Sequence, residues 1–126
     1  MSKVIFTENA PAAIGPYSQA VIAANMVYTS GQIPVNPADG SIPATIEEQT
    51  KQSLNNVKAV LEAAGASMND VIKTTVFIQD MGSFAKINEI YATYFNGPIL
   101  PARSCVEVAK LPKGVLIEIE AIAVKR

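Results

Sequence analysis

The chain predicts an α+β domain, one mixed β-sheet carrying two helices on one face. Two segments, 45–64 and 84–95, repeat apolar residues at helical spacing. Several short runs rich in Val, Ile and Thr alternate at period two, as strands do. The order reads β, ββ, α, β, α, ββ, which interleaves helices and strands around a single sheet. With both helices on one face, the other face needs a cover. A second copy of the chain can supply it.

Residues 3–6 form a short candidate edge strand. Two prolines and a glycine punctuate 9–16, a loop. Strands are expected over 17–23 and 26–33, joined by a tight turn at Ala24-Asn25, with Asn25 the residue tolerant of positive φ. Gly31, inside the second of these, predicts a bulge or a close backbone approach. Residues 34–43 are a loop with a turn at Asp39-Gly40. Thr45 and Glu48 make a capping box that opens the first helix, and Gly65 stops it. Ile46, Leu54, Val57, Val60, Leu61 and Ala64 form its apolar stripe. Residues 71–78 read as a strand with Ile72, Thr74, Val76 and Ile78 on one face. Ser83 is the candidate N-cap of the second helix, whose apolar face is Phe84, Ile87, Ile90, Tyr91, Tyr94 and Phe95. Asn96-Gly97-Pro98 ends it.

A chain of 126 residues fits one domain, 1–126. Its 49% apolar and 17% charged content suits a globular fold with apolar surface left over for a subunit contact. The net charge of −1 gives no cationic footprint for nucleic acid. No apolar run is long enough to cross a bilayer, the N-terminus lacks a signal-peptide core, and a single cysteine permits no internal disulfide. A cytoplasmic protein without membrane contact is the expectation. With no histidine, a Ser-His-Asp or Cys-His arrangement is excluded within the chain, as is a His/Cys zinc site. Neither a dinucleotide nor a P-loop motif occurs.

The unusual chemistry gathers in Pro101-Ala102-Arg103-Ser104-Cys105-Val106-Glu107-Val108 and the strand over 115–124. Alternation puts Arg103, Cys105 and Glu107 on one face of the first strand, and Glu118 and Glu120 on one face of the second. If the two pair as a hairpin about Leu111-Pro112, Cys105 sits opposite Glu118 and Arg103 opposite Glu120. A guanidinium, a thiol and carboxylates then share one patch. Such a patch can be a solvated face laced by ion pairs, or a pocket in which the arginine fork grips a carboxylate or phosphate. Tyr17 and Ser30 are half-buried strand residues or hydroxyls available to a ligand. Asn88 faces water or reaches the cleft. Parity does not separate Glu118 from Glu120 as a general base.

Over its whole length the chain resembles the RidA (YjgF-type) reactive-intermediate deaminases. The resemblance lies in Ile14-Gly15-Pro16-Tyr17-Ser18-Gln19-Ala20, Thr29-Ser30-Gly31-Gln32-Ile33-Pro34 and Lys73-Thr74-Thr75-Val76-Phe77. It is strongest where 101–112 is followed by Ile117-Glu118-Ile119-Glu120-Ala121. It implies a chorismate-mutase-like fold, a homotrimer with three clefts between subunits, and no cofactor. It implies hydrolysis of 2-imino acids, or their enamine tautomers, to 2-oxo acids and ammonia. The imines would come from pyridoxal-phosphate-dependent serine or threonine dehydratases. Arg103 would then hold the substrate carboxylate. Glu118 would orient the attacking water, helped by the Cys105 carbonyl. Tyr17, Ser30, Asn88 and the Gly31 N–H would line the cleft. Cys105 would be a lining residue, since no histidine could activate it. A non-catalytic ligand-binding or chaperone-like trimer, and a ribonuclease or translation inhibitor, are the competing functions.

Overall fold

The computed structural model describes residues 2–126. Six strands, β1 (Lys3–Ile5), β2 (Ala20–Ala23), β3 (Met26–Thr29), β4 (Val71–Ile78), β5 (Ala102–Glu107) and β6 (Ile117–Val124), form one sheet in the order β1-β2-β3-β6-β4-β5. Helices α1 (Ile46–Ala63) and α2 (Phe84–Tyr94) pack on one face, as the α+β expectation has it. All pairs are antiparallel except β4 with β5.

Helix α1 begins where the Thr45 hydroxyl accepts the Glu48 N–H at 3.2 Å, and it ends before Gly65, whose φ of +84° only glycine adopts freely. Its apolar stripe is buried throughout. Between the apolar side chains run polar ones that are also buried. Ser53 donates to Gln32 O at 2.6 Å, and Asn56 donates to Ile33 O and Val35 O at 3.0 Å. Gln49 accepts Leu116 N–H at 2.8 Å and donates to Pro43 O. These bonds tie the irregular segment after β3 to the helix and satisfy carbonyls that burial would otherwise strand.

Strand β6 alternates buried Ile117, Ile119, Ala121 and Ala123 with half-exposed residues, and it lies at the centre of the sheet. Its inward face packs with Val27 of β3, Thr74, Val76 and Ile78 of β4, and the stripe of α1. The expected hairpin of β5 with β6 does not form. Strand β5 follows α2 back to the end where β4 began, so it runs parallel to β4. Residues 108–116, with a tight turn at Pro112–Gly114, then carry the chain past β4 to its other side. Strand β6 thereby pairs with β3 on one side and β4 on the other.

Local expectations also shift. Strands β2 and β3 are shorter than 17–23 and 26–33, because 17–19 and 30–31 lie outside the ladder. The positive φ of the β2–β3 turn falls on Ala24, at +55°, and not on Asn25. A register shift between Val71 and Lys73 turns Val71 into the core and leaves Ile72 42% exposed. Ser83 makes no side-chain cap to α2. Asp80 instead accepts from Gly82 N–H at 2.8 Å and caps the turn Met81–Ser83.

The bulge expected at Gly31 is present. Tyr28 pairs with Ile122 and Gln32 with Ile119, so three residues on one side oppose two on the other. Thr29 Oγ1 fills the gap by accepting the Ala121 N–H at 3.0 Å. Among the described residues, nothing covers the face of the sheet away from the helices. It carries Val21, Tyr28, Lys73, Phe77, Val106, Glu118, Glu120 and Ile122, all partly or fully exposed. Among the described residues, no helix is long and apolar enough to cross a membrane.

Candidate functional site

The residues singled out from sequence fall into two groups on opposite faces of the sheet. Arg103 is the register partner of Thr74, and Cys105 that of Val76, both on the helix-covered face. Glu118 pairs with Phe77 and Glu120 with Thr75, both on the open face. The single patch expected from the hairpin is therefore absent within one chain: β4 separates the two strands, and their polar side chains leave the sheet in opposite directions.

The first group is built on β5 and α2. Arg103 Nη1 donates to Asn88 Oδ1 at 2.8 Å. The guanidinium carbon lies 5.3 Å from the Phe84 ring centroid and 4.8 Å from that of Tyr91. Among the described residues no carboxylate forms an ion pair with it. A planar fork held this way keeps donors for an anion. Asn88, Tyr91, Ala92, Phe95, Leu100, Pro101 and Arg103 line one concavity. The thiol of Cys105 sits beside Arg103. Burial pushes its pKa up, while the arginine charge pulls it down by less, so the neutral thiol dominates. Val108 N–H donates to Ile78 O at 2.9 Å, which turns the even-numbered backbone of β5 toward β4. The N–H and C=O of Arg103 and Cys105 therefore face the free edge of the sheet.

The second group is built on the bulge. The carboxylate of Glu118 lies against Gly31 so closely that a Cβ there would overlap it. Burial raises the pKa of Glu118, and the neighbouring charge of Glu120 raises it further. No hydrogen bond or ion pair to the Glu118 carboxylate exists among the described residues. It is thus a half-buried acceptor of raised basicity. Glu120 lies two residues farther along, opposite Thr75, without that contact. Tyr17 and Gly31 share a concavity of about 50 Å³ with Ile14, Gln32 and Ile33. Tyr17 is 49% exposed, and its hydroxyl accepts Ile14 N–H at 3.3 Å. Ser30 is less available. Its hydroxyl donates to Ser18 O at 2.6 Å, which leaves its lone pairs for a ligand. Gln19 anchors the rim by bonding Thr7, Ala10 and Pro11 backbone atoms.

Sequence reasoning passed over Phe84, Tyr91 and Thr74, which surround or support Arg103. The signal was the spacing of Phe84, Asn88 and Tyr91 along one helix face, where a polar residue interrupts an aromatic stripe.

Among the described residues, this α+β domain thus carries an arginine without an ion pair at a sheet edge and a carboxylate without a hydrogen-bond partner on a glycine bulge. The family model for Endoribonuclease L-PSP matches residues 7–125. The 2-iminobutanoate/2-iminopropanoate deaminase of Escherichia coli (strain K12) is 60% identical over 128 residues, covering 100% of both chains. The crystal structure of the YjgF gene product from E. coli superposes with a TM-score of 0.95 at 59% identity, covering 98% of this chain and 99% of that one. That of E. coli TdcF with bound serine gives 0.95 at 56% identity, with the same coverage. The chain belongs to the RidA/YjgF family, the one to which the Endoribonuclease L-PSP model corresponds.

Proposed function

We propose that the chain hydrolyses 2-imino acids to 2-oxo acids and ammonia, in clefts formed where the two groups of neighbouring copies meet. The observation that carries this reading is the unpaired Arg103 fork, held by Asn88, Phe84 and Tyr91 and open to a carboxylate. The full-length identity to a named 2-iminobutanoate/2-iminopropanoate deaminase supports it.

The uncovered sheet face and the free β5 edge suit a homotrimer. One copy would present Arg103, Asn88 and Cys105, and its neighbour Tyr17, Ser30, Gly31 and Glu118. The Arg103 fork takes the substrate carboxylate bidentately. The Gly31 N–H assists at that carboxylate, while Tyr17 and Ser30 shape the wall.

A water placed between Glu118 and the outward Cys105 carbonyl attacks the imine carbon. The imine enters protonated on nitrogen; as water adds, Glu118 takes the water proton and the C=N electrons move to nitrogen, giving the neutral carbinolamine. Glu118 then gives that proton to the nitrogen and accepts the hydroxyl proton as C=O forms and the C–N bond breaks, so ammonia leaves and takes the last proton from Glu118, which is ionised again. The raised pKa of Glu118 suits both steps, because an acid of higher pKa is the stronger base once ionised. Imines hydrolyse in water unaided, so one positioned base, worth about 10²–10⁴ in rate, is enough.

Pyridoxal-phosphate-dependent dehydratases acting on serine or threonine are the reaction class that would supply such imines. The serine held by TdcF is a small amino acid of that kind. The family model's name speaks of an endoribonuclease. A chain without histidine and with a net charge of −1 offers little for RNA cleavage.

The test couples the purified protein to a threonine dehydratase with semicarbazide present to trap free imine. Wild type should lower the trapping rate and Arg103→Ala should not. An equal trapping rate with and without wild-type protein would remove the deaminase reading in favour of a binding module.

A further inference from the structure

Arg103 is enclosed by three residues of α2. Phe84 and Tyr91 are two helical turns apart, about 10.5 Å along the axis. A guanidinium carbon 5.3 Å from one ring and 4.8 Å from the other lies between them. Asn88, from the turn between, takes one Nη1 proton at 2.8 Å. The rings thus flank the guanidinium and the amide engages one N–H, which leaves the remaining N–H donors for an anion.

Tyr91 is itself fixed. Its hydroxyl shares a 2.7 Å hydrogen bond with that of Thr74, and its ring packs against Phe95 with centroids 4.6 Å apart. Thr74 is fully buried, paired with Ala121 of β6 on one side and with Arg103 of β5 on the other. Valine has the same shape and no hydroxyl to satisfy, so packing alone would favour it here. The threonine hydroxyl instead locks the ring that covers the neighbouring arginine.

We propose that Thr74 and Tyr91 are positioning residues that preset the Arg103 guanidinium for a substrate carboxylate. The proposal rests on Arg103 being the carboxylate anchor. A free arginine loses much rotamer freedom when it grips an anion, and prior immobilisation removes that loss. The gain corresponds to about two- to tenfold in affinity.

The experiment uses the full-length protein and 2-oxobutanoate as the probe. Dissociation constants are measured for wild type, Thr74→Val, Thr74→Ser, Tyr91→Phe and Arg103→Ala. In the ligand-free proteins, the order of the Arg103 Nε–H bond is read by ¹⁵N relaxation. The chain has only two arginines, and Arg103→Ala identifies the signal.

Thr74→Val and Tyr91→Phe should loosen the Nε–H bond and weaken 2-oxobutanoate two- to tenfold. Thr74→Ser, which keeps the hydroxyl, should resemble wild type in both. If Thr74→Val does not fold, Tyr91→Phe carries the same expectation. Unchanged order and affinity in the folded variants would overturn the positioning role, as would equal weakening by Thr74→Ser and Thr74→Val. Wild type that binds no better than Arg103→Ala would overturn the anchor reading, and this inference with it.

Discussion

The carboxylate of Glu118 rests on the α-carbon of Gly31, in the space a β-carbon would occupy. Only a residue without a side chain at the bulge lets this glutamate lie there. The contact ties two residues 87 positions apart in the sequence to one spot (118 − 31). It also separates Glu118 from Glu120, which alternation leaves on the same face.

Gly31→Ala should therefore push Glu118 aside while the sheet stays folded. The expected result is a fall in kcat/KM of about 10²-fold, approaching that of removing the base itself. Steady-state imine turnover with a circular dichroism control checks it. Undiminished turnover would mean that Glu118 works from another position.

Glu118→Gln should lower kcat about 10²–10⁴-fold and leave 2-oxobutanoate affinity within a few-fold. The pH dependence has a definite sign. A base must be ionised, so wild-type kcat/KM should fall with acidification through a pKa above the usual glutamate range. In the same window the folded protein holds a proton that the unfolded chain has released. The contribution of Glu118 to stability is thus full at low pH and lost as pH rises through its folded pKa. Glu118→Gln should melt at a higher temperature than wild type at pH 7 and at an equal one well below the carboxylate range. A lower melting temperature at pH 7 would contradict the unpaired, desolvated carboxylate.

Arg103→Ala should abolish detectable 2-oxo acid binding in a folded protein. Arg103→Lys should recover only part of it, since an ammonium neither forks nor stacks between Phe84 and Tyr91 as a guanidinium does. Full recovery by lysine would reduce the site to a point charge.

Cys105→Ser should keep turnover within a few-fold of wild type. Burial keeps the thiol neutral, and the proposed reaction uses only the backbone carbonyl of this residue, on the free edge of β5. A folded but inactive serine variant would restore nucleophilic catalysis by the thiol.

Much of the fold was legible because local chemistry set it. Thr45, the apolar stripe and Gly65 defined α1, the alternation of 117–124 defined β6, and Gly31 marked the bulge. Strand order was not legible, because alternation assigns residues to faces but names no neighbours. The failed β5–β6 hairpin shows the difference, since parity correctly grouped Arg103 with Cys105 and Glu118 with Glu120. Only the insertion of β4 reveals that the groups diverge. Ile72 was misplaced for a related reason, as one bulged residue inverts the faces before it. Tyr91 and Phe84 looked like core because aromatic stripes are usually core, and their service to Arg103 depends on a contact across the sheet edge.

In the proposed assembly the two groups, apart in one chain, complete each other across a subunit boundary. Arg103→Ala and Glu118→Gln, each inactive alone, can be unfolded together in equal amounts and refolded as mixed oligomers. If each cleft takes its arginine from one copy and its glutamate from the next, about one cleft in four is intact, and about a quarter of wild-type turnover should return. No recovery in mixed oligomers of confirmed composition would contradict the shared site.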